Sequence, residues 1–296
     1  DSDVTDYRRE LDLLHGVSRV SFTKDGEKIV RETFASYPDR VIVSKHTGCH
    51  SAAVRYSRRD IHPTHRYDGD RCMIDTEAGE LVGVESLTIN GNVMTVKAHP
   101  ATGGHPFTVK ISVTTDGKLT SDGKSFRIEN ASATEYRIAI QTGGEPVIPD
   151  DDYETLKKRS GDDFASQMGK SDITFDDTFA DMPANRRLER LRNDPDARDA
   201  GLTALYFRFG KYLLVASSRP GSLPAHLQGV WNNYTAAPWN ADYHTNINLQ
   251  MNYWHAETAN LSDCALPLFD YMNKYLLESG KKTAEDYYGC RGTVLH

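Results

Sequence analysis

The hydrophobic period of this chain changes once, and that change limits what it can fold into. From Tyr7 to about Gln141 short runs alternate apolar and polar residues: VSRVSF, KIVRETF, RVIVSK, SLTINGNVMTVKA, FTVKISVTT, SFRIEN and EYRIAIQT. A period of two places the apolar side chains on one face of a strand. Asp25-Gly26, Asp68-Gly69, Asn90-Gly91, Asp116-Gly117 and Asp122-Gly123 punctuate these runs. Asn-Gly and Asp-Gly supply the positive φ angles of two-residue hairpins. Many short strands with regular turns predict an incomplete N-terminal β-sandwich over 1–145. Gly143–Asp152 (GGEPVIPDDD) then has no period at all. Residues 146–198 read as a charged, partly helical linker region whose first helix is DDYETLKKRSGDDFASQM.

From Asp199 the spacing becomes helical. Leu202, Leu205, Tyr206, Phe209, Tyr212, Leu213 and Ala216 recur at three- and four-residue steps, until Arg219-Pro220-Gly221 stops the helix. A second helix is expected from about Ile247 to Ala259, with Ile247, Met251, Trp254 and Thr258 on one face. That spacing puts Trp254 in the core. A third follows Pro267, carrying Leu268, Phe269, Met272, Tyr275 and Leu276 and closed by Gly280; a short fourth spans Lys282–Tyr288. Residues 199–296 therefore begin an all-α domain.

The composition suits a globular protein. The chain has 296 residues, a net charge of −7 and 26% charged residues. No Lys/Arg stripe marks a nucleic-acid surface. No apolar run approaches the ~18 residues of a membrane span, so neither nucleic acid nor membrane is an expected partner. The first residues, DSDVTDYRRE, form no signal peptide and lack an initiator Met, and the chain ends at His296 just after a glycine turn. It reads as a piece of something longer. Cys49, Cys72, Cys264 and Cys290 form no CxxC pair and are too scattered for a zinc ribbon or disulfide scaffold. Nucleophile-elbow, P-loop and dinucleotide fingerprints are absent from the sequence.

The most informative stretch is Ser218–Asn260, which gathers three Trp, several Tyr and His and many Asn and Gln with few charges. Flat apolar faces for stacking, beside neutral donors and acceptors for hydroxyls, are what a sugar pocket needs. The structural alternative is a buried amide network steadying a helix start. Asn246 and Asn248 sit at the beginning of the second helix, where one of them could serve as an N-cap. Two Asn separated by one residue and preceded by Tyr243 and His244 exceed what capping requires. An amide carbonyl can accept a hydrogen bond from water and aim it, but it cannot take the proton, so a carboxylate must complete the reaction. Asp242, Glu257 and Asp263 are expected to be structural or surface groups. Inverting hydrolysis needs an acid and a base roughly 6.5–9.5 Å apart, whereas on a continuous helix Glu257 would lie some ~13 Å beyond Asn248.

Trp239, in the loop Ala237–Asn240, is the best stacking candidate. Gln228 and Asn232 flank Gly229 and either bind sugar or satisfy loop backbone. His46, His50, His62, His65 and His105 invite a metal reading. His62-Pro63-Thr64-His65 has the wrong backbone for it and no cysteine at ligand spacing, so no metal is expected. Lys157-Lys158-Arg159 reads as a solvated helix face.

LPAHLQGVWN (223–232), the PW of 238–239, YHTNINLQMNYWHAE (243–257) and NLSD (260–263) resemble the inverting α-L-fucosidases of glycoside hydrolase family 95. So do MPANRRLERL, ALYFRFGKYLLVASSRPGSLP and YGCRGTVLH. LDLLHGVSRVSFTKDGEKIVRETFASYPDRVIVSKH is similar to that family's N-terminal β domain. The likeness is weak only from about Thr47 to Pro149. It implies a β-sandwich, a linker and the first helices of an (α/α)6 barrel, truncated at 296. It implies a cofactor-free, single-displacement hydrolysis of terminal α-L-fucosyl linkages, α-1,2 among them, on a fucosylated glycan outside the cytoplasm. It gives Asn246 and Asn248 the task of orienting the attacking water, with a downstream Asp and Glu as the carboxylates. It makes His244 a residue that tracks the choice between L-fucose and L-galactose, and Tyr243 a pocket residue. Because both carboxylates would lie past His296, the chain alone is expected to be inactive. Three other readings remain open: an α-L-galactosidase of the same family, a non-catalytic carbohydrate-binding module, and a structural domain whose Asn-rich turn is internal wiring.

Overall fold

The computed structural model describes residues 4–58, 83–100, 104–232, 237–245 and 247–295, together with the backbone of two strands at 64–68 and 71–75. The chain divides into two units, residues 1–163 with 233–240 and residues 164–232 with 241–296.

The first unit is dominated by one antiparallel sheet. Its strands are β1 (Val4–Asp12), β2 (Val17–Lys24), β3 (Glu27–Ser36), β4 (Val41–Arg55), β7 (Val84–Asn90), β8 (Val93–Ala98), β9 (Phe107–Thr115), β10 (Lys118–Ser121) and β11 (Ser125–Thr142). β5 (Thr64–Asp68) and β6 (Arg71–Asp75) pair separately. The order is β1-β2-β3-β4-β11-β9-β8-β7, with β10 added to β11. Several expected turns close the hairpins. Asp25 and Gly26 take φ of 52° and 78° between β2 and β3, and Gly91 and Gly123 take 57° and 85° between β7 and β8 and between β10 and β11. Gly69, in the Asp68-Gly69 pair, lies outside the described residues.

SFRIEN and EYRIAIQT, which the sequence reads as two strands, form one: β11 runs for 18 residues. It bends instead of stopping. Its register against β4 shifts between Ile128 and Ala131 and again before Ala133. On β4 the matching irregularity falls at Gly48, φ 99°, where a Cβ would lie 2.5 Å from the Lys28 carbonyl oxygen. Such bulges increase twist and let a sheet turn over on itself. As a result Phe126 and Ile128, on the first part of β11, share one buried cluster with Met94 and Val96 of β8 and Val109, Ile111 and Val113 of β9. The second part of β11 meanwhile hydrogen-bonds directly to β9. One sheet thus supplies both layers of this core.

A second core holds Val17, Phe34, Val41, Val43 and Ala139, closed by Tyr153 and Leu156 from the first turn of α1 (Tyr153–Met168). The Tyr153 hydroxyl donates to Glu32 at 2.5 Å, and Lys157 Nζ lies 2.6 Å from the same carboxylate. Burial works against charge on Glu32, but those two donors hold its pKa below the ordinary value. Arg159 reaches Asp39 at 2.5 Å. The basic run is therefore not merely a solvated face: Lys157 and Arg159 tie α1 to the sheet.

The second unit contains the end of α1, α2 (Ala184–Asn193), α3 (Ala200–Ser217), α4 (Asn248–Tyr253), α5 (Leu266–Tyr271) and α6 (Leu277–Tyr288). Asp199 caps α3, accepting from the Leu202 amide at 2.8 Å. Arg187 of α2, only 3% exposed, holds both Asp199 and Asp177. The apolar stripe expected to bury α3 is not its buried face. Gly201, Ala204, Lys211, Leu214 and Val215 are buried, whereas Tyr206 is 77% exposed and Phe209 and Leu213 are exposed. α3 is apolar on more than one side, so small residues decide which side packs closely. Lys211 fits there because its ammonium donates to the Met168 and Ser171 carbonyls and the Ser171 hydroxyl.

The helix after Ile247 is shorter than its spacing suggests. α4 ends at Tyr253 and the chain continues in turns; Leu249, Tyr253 and Ala256 face inward, while Met251 and Trp254 are exposed. Trp254 is therefore not a core residue. Gly280 does not stop a helix either. α5, a π-helical turn at Met272–Leu276 and α6 follow one another directly, and the left-handed stop is Gly289 at φ 57°. Gly280 is instead a close-approach site: a Cβ there would lie 2.3 Å from Thr293 Cγ2.

Candidate functional site

α3 ends at Ser217, and the chain turns into a tight loop at Pro224–Gly229. His226 and Gly229 exchange both backbone hydrogen bonds, at 3.0 and 2.9 Å. The Leu227 amide donates to the Asp242 carbonyl at 3.3 Å. The Gln228 amide donates to His226 Nδ1 at 3.2 Å. That contact makes Nδ1 the acceptor and puts the ring proton of neutral His226 on Nε2. Burial holds the His226 pKa below the ordinary imidazole value, which favours this neutral form.

Tyr243 closes the loop from the other side, its hydroxyl donating to the Pro224 carbonyl at 3.0 Å. It is one member of an aromatic row, edge-on to His226 at 6.4 Å and tilted against Tyr271 at 4.6 Å. Tyr271 in turn lies 5.2 Å from Tyr275. Burial, reinforced by Tyr271 and Tyr253, pushes the Tyr243 phenol up to about 12, so it acts as a donor at neutral pH. His244 lies one residue on, its Nε2 2.7 Å from Asp242 Oδ1.

Asn248 is the first helical residue of α4, the N-cap is Ile247, and no side chain caps the helix. Asn248 is exposed and makes no side-chain hydrogen bond among the described residues. Asn246 lies outside the described residues. Two sequence candidates with amide side chains lie nearby in the chain. Gln228 has a buried Oε1 with no hydrogen-bond partner among the described residues, and Asn232 is exposed. Trp239 falls in the first unit, 75% exposed, on a left-handed turn in which Trp239, Asn240 and Ala241 have φ of 54°, 57° and 49°. Non-glycine residues in that region store strain.

The three nearby carboxylates are engaged elsewhere. Asp242 pairs with His244, Glu257 accepts from Ser262 Oγ at 2.5 Å, and Asp263 pairs with Lys170 at 2.8 Å. Among the described residues no three His, Cys, Asp or Glu side chains gather to hold a metal. His46 and His50 stand 6.3 Å apart on β4, and burial, with Arg31 and His50 adding to it, holds His46 at about 4. His62 and the His65 side chain lie outside the described residues, and His105 is exposed. Cys49, Cys264 and Cys290 are free thiols.

The sequence reading missed Ser218, Asn252 and Tyr253. Tyr253 Oη accepts the Ala225 amide at 2.8 Å and meets Ser218 Oγ at 2.8 Å; Ser218 in turn donates to the Cys264 carbonyl at 2.8 Å. Asn252 Nδ2 donates to the carbonyls of Ala225 and His226 at 3.2 and 3.1 Å. The signal was available, since Asn252 is four residues from Asn248 and so shares its helix face.

The described chain is a sheet unit and a helical unit, the latter carrying an aromatic, amide-lined turn, and known proteins share this order of parts. Residues 1–145 match the N-terminal domain of glycosyl hydrolase family 65, and residues 152–296 match the catalytic domain of glycosyl hydrolase family 95. Its helical half, residues 152–296, is thus a segment of the glycosyl hydrolase family 95 catalytic-domain type. It is 30% identical to "Alpha-L-fucosidase 2" of Arabidopsis thaliana over 98% of this chain and 38% of that protein. It is 29% and 28% identical to proteins named "Probable alpha-fucosidase A" of Aspergillus niger and Aspergillus oryzae, covering 39% and 43% of them. The chain thus spans about two fifths of the length of these curated relatives. A solved structure described as "Putative kojibiose phosphorylase from human microbiome" shares the fold, with a TM-score of 0.54 at 11% identity over 96% of this chain and 37% of that one. No helix among the described residues is long and apolar enough to cross a membrane.

Proposed function

We propose that the protein carrying this chain hydrolyses terminal α-L-fucosyl linkages of glycans, α-1,2 linkages among them, by a single displacement with inversion. Asn248, with Asn246, orients the attacking water. A carboxylate removes the water's proton, and a second carboxyl group protonates the departing glycosidic oxygen. Asp242, Glu257 and Asp263 are each paired among the described residues, and both groups are assigned to the remainder of the protein. The helices of the second unit are, on this reading, the opening of an (α/α)6 barrel, and the 296-residue chain alone is inactive. Tyr243, His244, Gln228 and Asn232 face the sugar, and Trp239 is kept as a separate stacking candidate.

The observation that carries this reading is the state of Asn248. The cap position belongs to Ile247, and the Asn248 amide is exposed and has no hydrogen-bond partner among the described residues. Helix capping therefore does not account for it, and an amide able to accept from water remains. In the full-length protein, Asn248→Gly should lower kcat by about 10²–10³, the loss typical of one group acting chiefly in the transition state, and leave KM within a few-fold. Steady-state kinetics on a nitrophenyl α-L-fucoside decide it. Near-wild-type kcat would remove Asn248 from the reaction.

A further inference from the structure

The turn Ala225–Gly229 has no idle backbone amide. Its donors go in order to Tyr253 Oη, Gly229 O, Asp242 O, His226 Nδ1 and His226 O. Four of its carbonyls are engaged as well: Ala225 O and His226 O accept from Asn252, Gln228 O from the Trp231 amide and Gly229 O from the His226 amide. Tyr253 Oη holds the Ala225 N–H and Asn252 Nδ2 holds the Ala225 carbonyl, so adjacent residues of α4 grip one peptide residue from both ends. Tertiary side chains do here what a neighbouring strand would do in a sheet.

Satisfying buried backbone groups is a sufficient reason for Tyr253, since Ala225 is only 3% exposed. Asn252 goes further. It is half-buried, it spends one amide on two successive carbonyls, and it sits one turn along the same helix face as Asn248. A short helix thus carries at one end the amide assigned to water and at the other the amide that fixes the turn bearing Gln228.

We propose that Asn252 is a positioning residue of the sugar site: it sets the register of the Gln228-bearing turn against Asn248. The proposal rests on the functional reading above for what the register serves, but the clamp itself does not. Asn252→Asp is the sharpest probe, because a carboxylate of the same shape cannot donate and would face two carbonyl oxygens. Asn252→Ser, which keeps one donor, is the milder companion should the Asp variant fold poorly.

Two measurements on the full-length protein separate the claims. The first is hydrogen–deuterium exchange of the peptide spanning 225–229, with thermal unfolding alongside. The second is kcat and KM on a nitrophenyl α-L-fucoside. The expected result is exchange at least ten times faster in that peptide for Asn252→Asp, with unfolding elsewhere little changed. kcat/KM should fall at least tenfold in the same variant, and Asn252→Ser should lie between it and wild type. Unchanged exchange at 225–229 in both variants overturns the clamp. Faster exchange with unchanged kcat/KM overturns the link to the site. If the wild-type protein leaves α-L-fucosides intact, the functional reading and the link fall together, while the exchange result still judges the clamp.

Discussion

Asp199→Asn tests the electrostatic tie between α2 and α3 with little change in shape. Asn caps helices as well as Asp does, so the bond from the Leu202 amide at 2.8 Å can survive. What cannot survive is the negative charge and the acceptance from Arg187 Nε, which lies 2.9 Å from Asp199 Oδ2, since an amide nitrogen would take that position. Hydrogen bonding from Arg187 is the main cause of a carboxyl pKa held at about 2 against the ordinary 3.8, with burial opposing and the Leu202 amide assisting. That difference corresponds to about 2 kcal/mol of stability at neutral pH. The Asp199 side chain is 1% exposed, so solvent screening removes little of it. Asp177 stays beside Arg187 in the variant and limits further loss. The sign follows from the depressed value. Asp199 stabilises fully above the unfolded pKa near 4, and the contribution is lost as pH falls toward 2. Denaturant unfolding of wild type and variant, followed by circular dichroism between pH 7 and pH 2, should therefore show a gap of about 2 kcal/mol that closes below about pH 4. A gap independent of pH, or none at pH 7, would refute the ion-pair account of this junction.

Gly201→Ala should destabilise although alanine favours helices. Its Cβ would lie 2.1 Å from the Asp177 carboxyl carbon, and Arg187 pins that carboxylate. The expected net loss is about 1–3 kcal/mol by chemical denaturation, and a gain of about 1 kcal/mol would show that Asp177 moves freely. His244→Thr in the full-length protein should shift kcat/KM from α-L-fucosides toward α-L-galactosides. The threonine removes the ring that, on the proposed reading, fills space beside the C6 methyl, and with it the 2.7 Å contact to Asp242. One hydroxyl discriminates by about 10² at best in a packed pocket. An unchanged ratio on the two nitrophenyl glycosides would take His244 out of the specificity argument.

Much of the fold was legible because its signals are local. A period of two, ended by Asp25-Gly26 and Asn90-Gly91, needs no partner to be recognised, and neither does the aperiodic run Gly143–Asp152. The candidate site is marked in the sequence only by residue type. Asn248, His244 and Tyr243 stand out because amides and aromatics crowd one short span. What could not be read was how each amide is used. Asn248 and Asn252 look alike in NLQMNYW, yet among the described residues Asn252 spends its hydrogens on Ala225 and His226 while Asn248 spends none.

The sequence by itself determined the order of elements, the hairpin turns and the chemical character of the 218–260 stretch, because backbone preference and residue type act over a few positions. Only the tertiary structure decided that β11 bends into both layers of a core, that α3 packs by Gly201, Ala204 and Lys211 instead of Tyr206 and Phe209, and that Gly280 lies inside a helix against Thr293. Periodicity reports where apolar side chains recur. It carries no information about which neighbour approaches closely enough to need a small residue, or which distant carbonyl a side-chain amide will meet.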